Sequence, residues 1–184
     1  RSLEEAGFIE TYEKRTKGVG RPKVYYRISK KPKIVGFPRR RYLTLSNFLL
    51  NTMQFLLGAN RAKRILKKVG MEMGEDIVKT LEFEHNIKAW SPEEYEKFFV
   101  KGYLQESGAE PEIVKADGQK VVYRLHNCLF FELAIKMPEM MCDTLHESFH
   151  EGLSKAMGKG IKISRLTCMG KGDPYCEHVC KWRA

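Results

Sequence analysis

The sequence has no run of about 18 apolar residues, so no transmembrane helix and no membrane partner is expected. It opens on Arg1 without an initiating Met and without the pattern of a signal peptide, which predicts a cytoplasmic chain that has lost a segment upstream. There is no cysteine before Cys128. Five thiols in such a chain speak against a disulfide framework and for metal, redox chemistry or plain burial. No internal repeat is present and no low-complexity stretch beyond one basic segment. No glycine-rich nucleotide fingerprint and no acid/base pair stands out, which favours binding over turnover. What is present is 184 residues, 42% apolar and 30% charged, enough for one full domain and part of another.

The net charge of +10 is concentrated at one end. Residues 1–42 hold thirteen Lys/Arg against four Asp/Glu, while residues 43–184 hold twenty against nineteen. A local basic patch is the electrostatic footprint of a nucleic-acid-binding element, although a solvated tail or a patch for anionic lipid has the same charge. Leu3, Ala6, Phe8 and Ile9 suit the end of a short helix closed by Gly7. ETYEKR and VYYRIS then flank Gly18, Gly20 and Pro22, a hairpin pattern with Lys17, Arg21 and Lys23 at its tip. Cations on a flexible tip gain by releasing counterions from phosphate, and glycine lets the backbone approach a groove.

LEEAGFIE followed by GVGRPKVYYRIS resembles the last helix and wing of archaeal and bacterial winged-helix repressors. The resemblance covers about 30 residues and implies DNA as a partner, with Lys17, Arg21 and Lys23 on phosphate or in the minor groove. The organisation that follows is a partial winged-helix element over residues 1–30, a basic linker over 31–43 and a sensor domain over 44–184.

The rest of the chain reads as helices followed by an antiparallel sheet with a helix inserted, an α+β domain. Thr44 to Gly58 is an apolar helix that suits the seam of a homodimer, since dimeric DNA-binding proteins read paired half-sites. Residues 60–83 carry helical spacing, with Gly70 and Gly74 open to bending or to close approach of another helix. Ser91-Pro92-Glu93-Glu94 is a helix start. Residues 111–127 read as a hairpin turning at Asp117-Gly118. Pro138 opens a helix that Gly158 closes, IKISRLTC is a strand, MGKGDP a turn and YCEHVCKW a final strand.

The chemistry is carried by Cys128, Cys142, Cys168 and Cys176. At 100° per residue Cys142 falls inside the apolar arc of its helix and points toward the sheet that carries Cys168 and Cys176. Four thiolates converging from helix, strand and loop would make a closed tetrahedral site suited to zinc, with an iron-sulfur cluster as the alternative. Metal-free thiol redox and inert burial are the other readings. Cys180, four strand residues beyond Cys176, lies about 13 Å away along the strand and outside that shell.

Cys142, the MGKGIKI stretch and the ending TCMGKGDPYCEHVC resemble the 4-vinyl reductase-like domain found in effector-responsive activators and archaeal redox regulators. The resemblance spans roughly residues 45–183 and rests most on the C-x7-C pair around G-D-P-Y. It implies helices packed on an antiparallel sheet, akin to haem-based nitric-oxide sensors, with Cys142, Cys168 and Cys176 at the family's zinc-ligand positions and Cys128 a weaker match. It also implies sensing of a metal or small molecule. Large adaptable side chains near the cysteines, Phe130, Phe131 and Met141 among them, together with His146, form a candidate pocket for a small hydrophobic or aromatic effector.

The expected function is a transcriptional regulator whose sensor domain gates DNA binding. The alternative is a vinyl-reductase-type enzyme or accessory protein that binds a tetrapyrrole or aromatic molecule. His146-Glu147-Ser148-Phe149-His150 also satisfies the HExxH pattern of zinc peptidases. On helical spacing both histidines fall at the edge of the apolar arc, Glu147 faces away and no well-placed third ligand follows, so they read as rim or surface residues, one of which could contact a ligand or replace a thiolate.

Overall fold

The computed structural model describes residues 2–5, 8–14, 23–29 and 41–183. The chain divides into two compact units, Arg1–Tyr42 and Leu43–Ala184.

In the first unit a short helix, α1 (Ser2–Glu5), precedes two antiparallel strands, β1 (Ile9–Lys14) and β2 (Lys23–Ile28). The register runs from Ile9 opposite Ile28 to Lys14 opposite Lys23. Thr, Tyr, Val and Ile favour this pleated pairing, because branched and aromatic side chains pack across strands. Tyr12 stacks on Tyr25 at 5.5 Å, and Arg27 donates to the Glu10 carboxylate at 2.9 and 3.1 Å. The Thr11 hydroxyl donates to Glu4, tying β1 to α1. Lys17 and Arg21 lie outside the described residues, as does the side chain of Lys23.

All but the first residue of α2 (Tyr42–Leu57) lies in the second unit, which continues with α3 (Ala59–His85). The helix α2 has no buried residue: Leu43, Leu50 and Met53 are half-buried, while Phe48, Phe55 and Leu56 are exposed. On α3, Ala62, Leu66, Gly70, Gly74, Val78 and Leu81 are buried at spacings of three and four, one face of the helix. That face meets α7 (Glu147–Met157). A Cβ placed on Gly70 would stand 2.5 Å from the carbonyl oxygen of Leu145, and one on Gly74 would stand 2.7 Å from the amide nitrogen of Leu153. Glycine is therefore what allows the two backbones to meet.

Ser91 and Glu94 form a reciprocal capping box, and Pro92 opens α4 (Pro92–Glu94), which runs into a π-helical segment, Tyr95–Leu104. Four strands follow: β3 (Pro111–Asp117), β4 (Lys120–Leu125), β5 (Ile161–Arg165) and β6 (Cys176–Trp182). Every pair is antiparallel, in the order β3-β4-β6-β5. The β3–β4 turn is Gly118–Gln119, one residue later than expected, because the Asp117 carboxylate stays on the strand and accepts the N–H groups of Gln119 and Lys120. Between β4 and β5 the chain forms α5 (Phe131–Ala134), α6 (Pro138–Met140), a second π-helical segment (Met141–His146) and α7. The main core joins Val78 and Leu81, Tyr95 and Phe99, Val121 and Tyr123, and Leu153. Within it the hydroxyls of Tyr95 and Tyr123 share a hydrogen bond of 3.0 Å. Among the described residues no helix is long and apolar enough to cross a membrane.

Candidate functional site

The helical insertion, the loop after β5 and the start of β6 bring the chemistry-bearing residues together. Cys142, on the π-helical segment, is buried beside Cys168 in a small core with Leu133, Ala134 and Met141, and Cys128 packs on its edge. The Cys168 thiol lies near enough to Cys142 to act on it electrostatically, as do the Cys168 and Cys128 thiols on Cys176. The loop after Cys168 is tightly fixed. Asp173 accepts the Cys168 N–H at 2.7 Å, and the Met169 N–H points at the Cys176 sulfur at 3.3 Å. Gly170 is pressed on the cluster, since a Cβ there would stand 2.7 Å from the Cys142 sulfur. Cys180 belongs to the other core, with Tyr95 and Tyr123.

Burial, with the Cys168 thiol beside it, pushes Cys142 up to about 12. Burial pushes Cys176 up to about 11 and raises Cys128 as well. Without a bound cation these thiols keep their protons at neutral pH. Arg165 supplies the opposing charge. Its guanidinium donates to the Cys142 carbonyl at 3.1 Å and pairs with Asp143 and Glu147, each at 3.0 Å.

Beside the thiols lies an apolar cavity of about 130 Å³. Its walls include Tyr103, Phe130, Met141, Leu145 and Phe149, and its few polar groups include Cys128, Cys176 and His146. Of the residues expected to line a pocket, Phe130, Met141 and His146 do so and Phe131 does not.

No family model matches this chain. No curated protein matches it either. Among solved structures, it is similar to the phenol-responsive sensory domain of the transcription activator PoxR bound to phenol, at 17% identity over 85% of this chain and 80% of that one, with a TM-score of 0.52. A trafficking protein particle complex subunit 3 from Naegleria fowleri, covalently bound to palmitic acid, shares 11% identity over 77% of this chain and 97% of that one, with a TM-score of 0.49. The likeness to the PoxR domain is one of fold: helices packed on an antiparallel sheet, as the α+β reading expected.

The HExxH histidines require a correction. His150 is not a rim residue, while His146 stands where the pocket reading put it. His150 is 3% exposed and His146 lines the cavity wall. The extrapolation at 100° per residue fails because Met141–His146 is π-helical, and each widened turn rotates the following residues off the α-helical register. The third partner comes from β6, where His178 is fully buried. Neither ring nitrogen of His178, nor Nδ1 of His150, has a hydrogen-bond partner among the described residues. Each such orphan costs about 1–3 kcal/mol. A signal for His178 was in the sequence: it follows Cys176 by two residues on one strand and so shares its face. Glu147, by contrast, is held by Arg165, as expected of a residue facing away.

Proposed function

We propose that the unit Leu43–Ala184 is the effector-sensing half of a transcriptional regulator, taking a small aromatic or apolar molecule into the cavity beside the thiols. The observation that carries this reading is the cavity itself. At about 130 Å³ it approaches the roughly 150 Å³ at which an engineered apolar cavity takes up benzene. Its wall is apolar with a few polar groups, the usual composition of a small-molecule site. The PoxR domain, which shares the fold, is a phenol sensor, and that supports the same ligand class here.

Cys128, Cys142, Cys168 and Cys176 are the soft donors that suit zinc, three of them neighbouring Cys168 from a helix, a loop and a strand, though drawn together less closely than the three histidines. A zinc ion there would supply structural cross-linking and hold the thiols as thiolates; an iron-sulfur cluster is the alternative for the same donors. Cys142 then fixes the helical insertion to the loop and strand that form the cavity wall. An effector that repacks Phe149, Met141 and Leu145 moves α7 against α3, and the change reaches a homodimer seam on the exposed apolar face of α2. The basic hairpin, with Lys17, Arg21 and Lys23, engages DNA as a wing.

The test is calorimetric titration of the full chain with phenol and with toluene. Saturable binding with a Kd of about 1 mM or tighter is expected. Leu145→Trp, which fills the cavity, abolishes it. Absence of saturable binding to both probes refutes the reading, as does unchanged binding in the folded Leu145→Trp variant.

A further inference from the structure

From the juxtaposition of His146, His150 and His178 we infer a second metal site, a three-histidine centre for a first-row divalent transition cation, separate from the cysteines. One ring nitrogen from each residue lies within 4.8 Å of the other two. No other group of three or more potential donors among the described residues is this close. The ring centroids stand 4.4, 5.4 and 4.9 Å apart. A zinc ion sits about 2.0–2.1 Å from imidazole nitrogen, which sets tetrahedral neighbours roughly 3.4 Å apart. The widest pair therefore has to close by no more than roughly 1.4 Å.

The placement follows from local structure. His146 and His150 are one turn apart where the π-helical segment passes into α7. His178 comes from the facing strand, stacked on the buried Tyr123 ring at 5.2 Å. Nδ1 of His150 and both ring nitrogens of His178 are buried without a hydrogen-bond partner among the described residues, and one ring nitrogen of each residue belongs to this group. A neutral imidazole offers one lone pair, which is what a metal takes. Arg165 acts on all three electrostatically, but Asp143 and Glu147 balance its charge. Three nitrogen donors suit zinc, cobalt, nickel or copper and not calcium or magnesium.

The group holds no carboxylate, and Glu147 is committed to Arg165, so the centre lacks the general base of an HExxH peptidase. It is a binding centre. His146 also borders the apolar cavity, so a fourth donor bound there would come nearest the centre at that residue. Three protein ligands leave that fourth position open to water or a bound molecule. The inference stands whether or not phenol-like molecules bind.

The test is Zn²⁺ titration of the chelator-treated full chain, wild type and Cys168→Ser, with X-ray absorption of the loaded proteins. Expected is one equivalent that survives Cys168→Ser and shows scatter at about 2.0–2.1 Å from nitrogen, not the roughly 2.3 Å of sulfur. His178→Gln weakens that equivalent by more than about 100-fold, beyond the 10–100-fold that loss of a supporting contact alone costs. Should His178→Gln or Cys168→Ser fail to fold, wild-type ¹⁵N spectra decide: metal-bound ring nitrogens shift in three histidines or they do not. Zinc held by sulfur alone, full affinity in folded His178→Gln, or unshifted histidine nitrogens at saturating zinc overturns the inference.

Discussion

Gly152→Ala tests the contact on which the second unit is built. Gly152 is buried on α7, and a Cβ there would stand 2.9 Å from the Met71 Cα and nearer still to its carbonyl oxygen. Carbon atoms in contact prefer about 3.5–4.0 Å, so the two helices must part by roughly 1 Å. The neighbouring Leu153 is fully buried, so parting the backbones opens the core as well as straining it. Overpacking of this kind costs about 1–3 kcal/mol. Replacing a helical glycine by alanine returns about 0.5–1 kcal/mol through the unfolded chain. The net expectation is a loss of about 1–2 kcal/mol, read as a Tm lower by about 2–8 °C for a chain of this length. The internal control is Gly102→Ala, because Gly102 has only the Lys97 carbonyl at 3.4 Å from its virtual Cβ. That variant is expected to be neutral or slightly stabilised. Urea and thermal melts of both proteins decide it. If Gly152→Ala is as stable as Gly102→Ala, the helices do not approach as closely as described.

Two further perturbations reach other parts of the chain. Arg21→Ala lowers the slope of log K against log salt for DNA binding by about one if Arg21 contacts a phosphate; an unchanged slope in the intact protein removes it from the wing. Burial raises the Tyr95 phenol well above its usual range, and that of Tyr123 as well. A raised folded-state value keeps its stability contribution below about pH 10, where the unfolded chain also holds the proton, and loses it as pH rises further, by about 1.4 kcal/mol per pH unit for each tyrosine. Urea midpoints measured between pH 9 and 12 should therefore fall, and fall less steeply in Tyr95→Phe. Equal slopes in the two proteins would contradict this.

Much of the fold was legible because the signals were local. The capping box at Ser91, the spaced apolar face of α3 and the strands around Asp117 are each set by neighbouring residues. Gly70 and Gly74 could be seen to admit a close helix, though not which one. Cys142 could be placed facing inward, where it meets Cys168. The misses share a cause. A π-helical turn follows from packing at Met141–His146 and has no short sequence signature, so the face of His150 was misassigned. His178 was passed over because its partners arrive from an element about 30 residues earlier. Phe131 was grouped with Phe130, yet the short turn of α5 sends only Phe130 to the cavity.

The π-helical segment holds both Cys142 and His146, and β6 holds both Cys176 and His178, two residues and so about 7 Å apart along the strand. Thiols and imidazoles thus hang on the same two pieces of backbone. An occupant of one set that displaces either piece alters the spacing of donors in the other. By linkage the dependence runs equally in both directions: whatever factor one occupant imposes on the second's affinity, the second imposes on the first. If both sets bind a cation, the affinity of zinc for the imidazoles would then report whether the thiols are occupied, measurable without any DNA present.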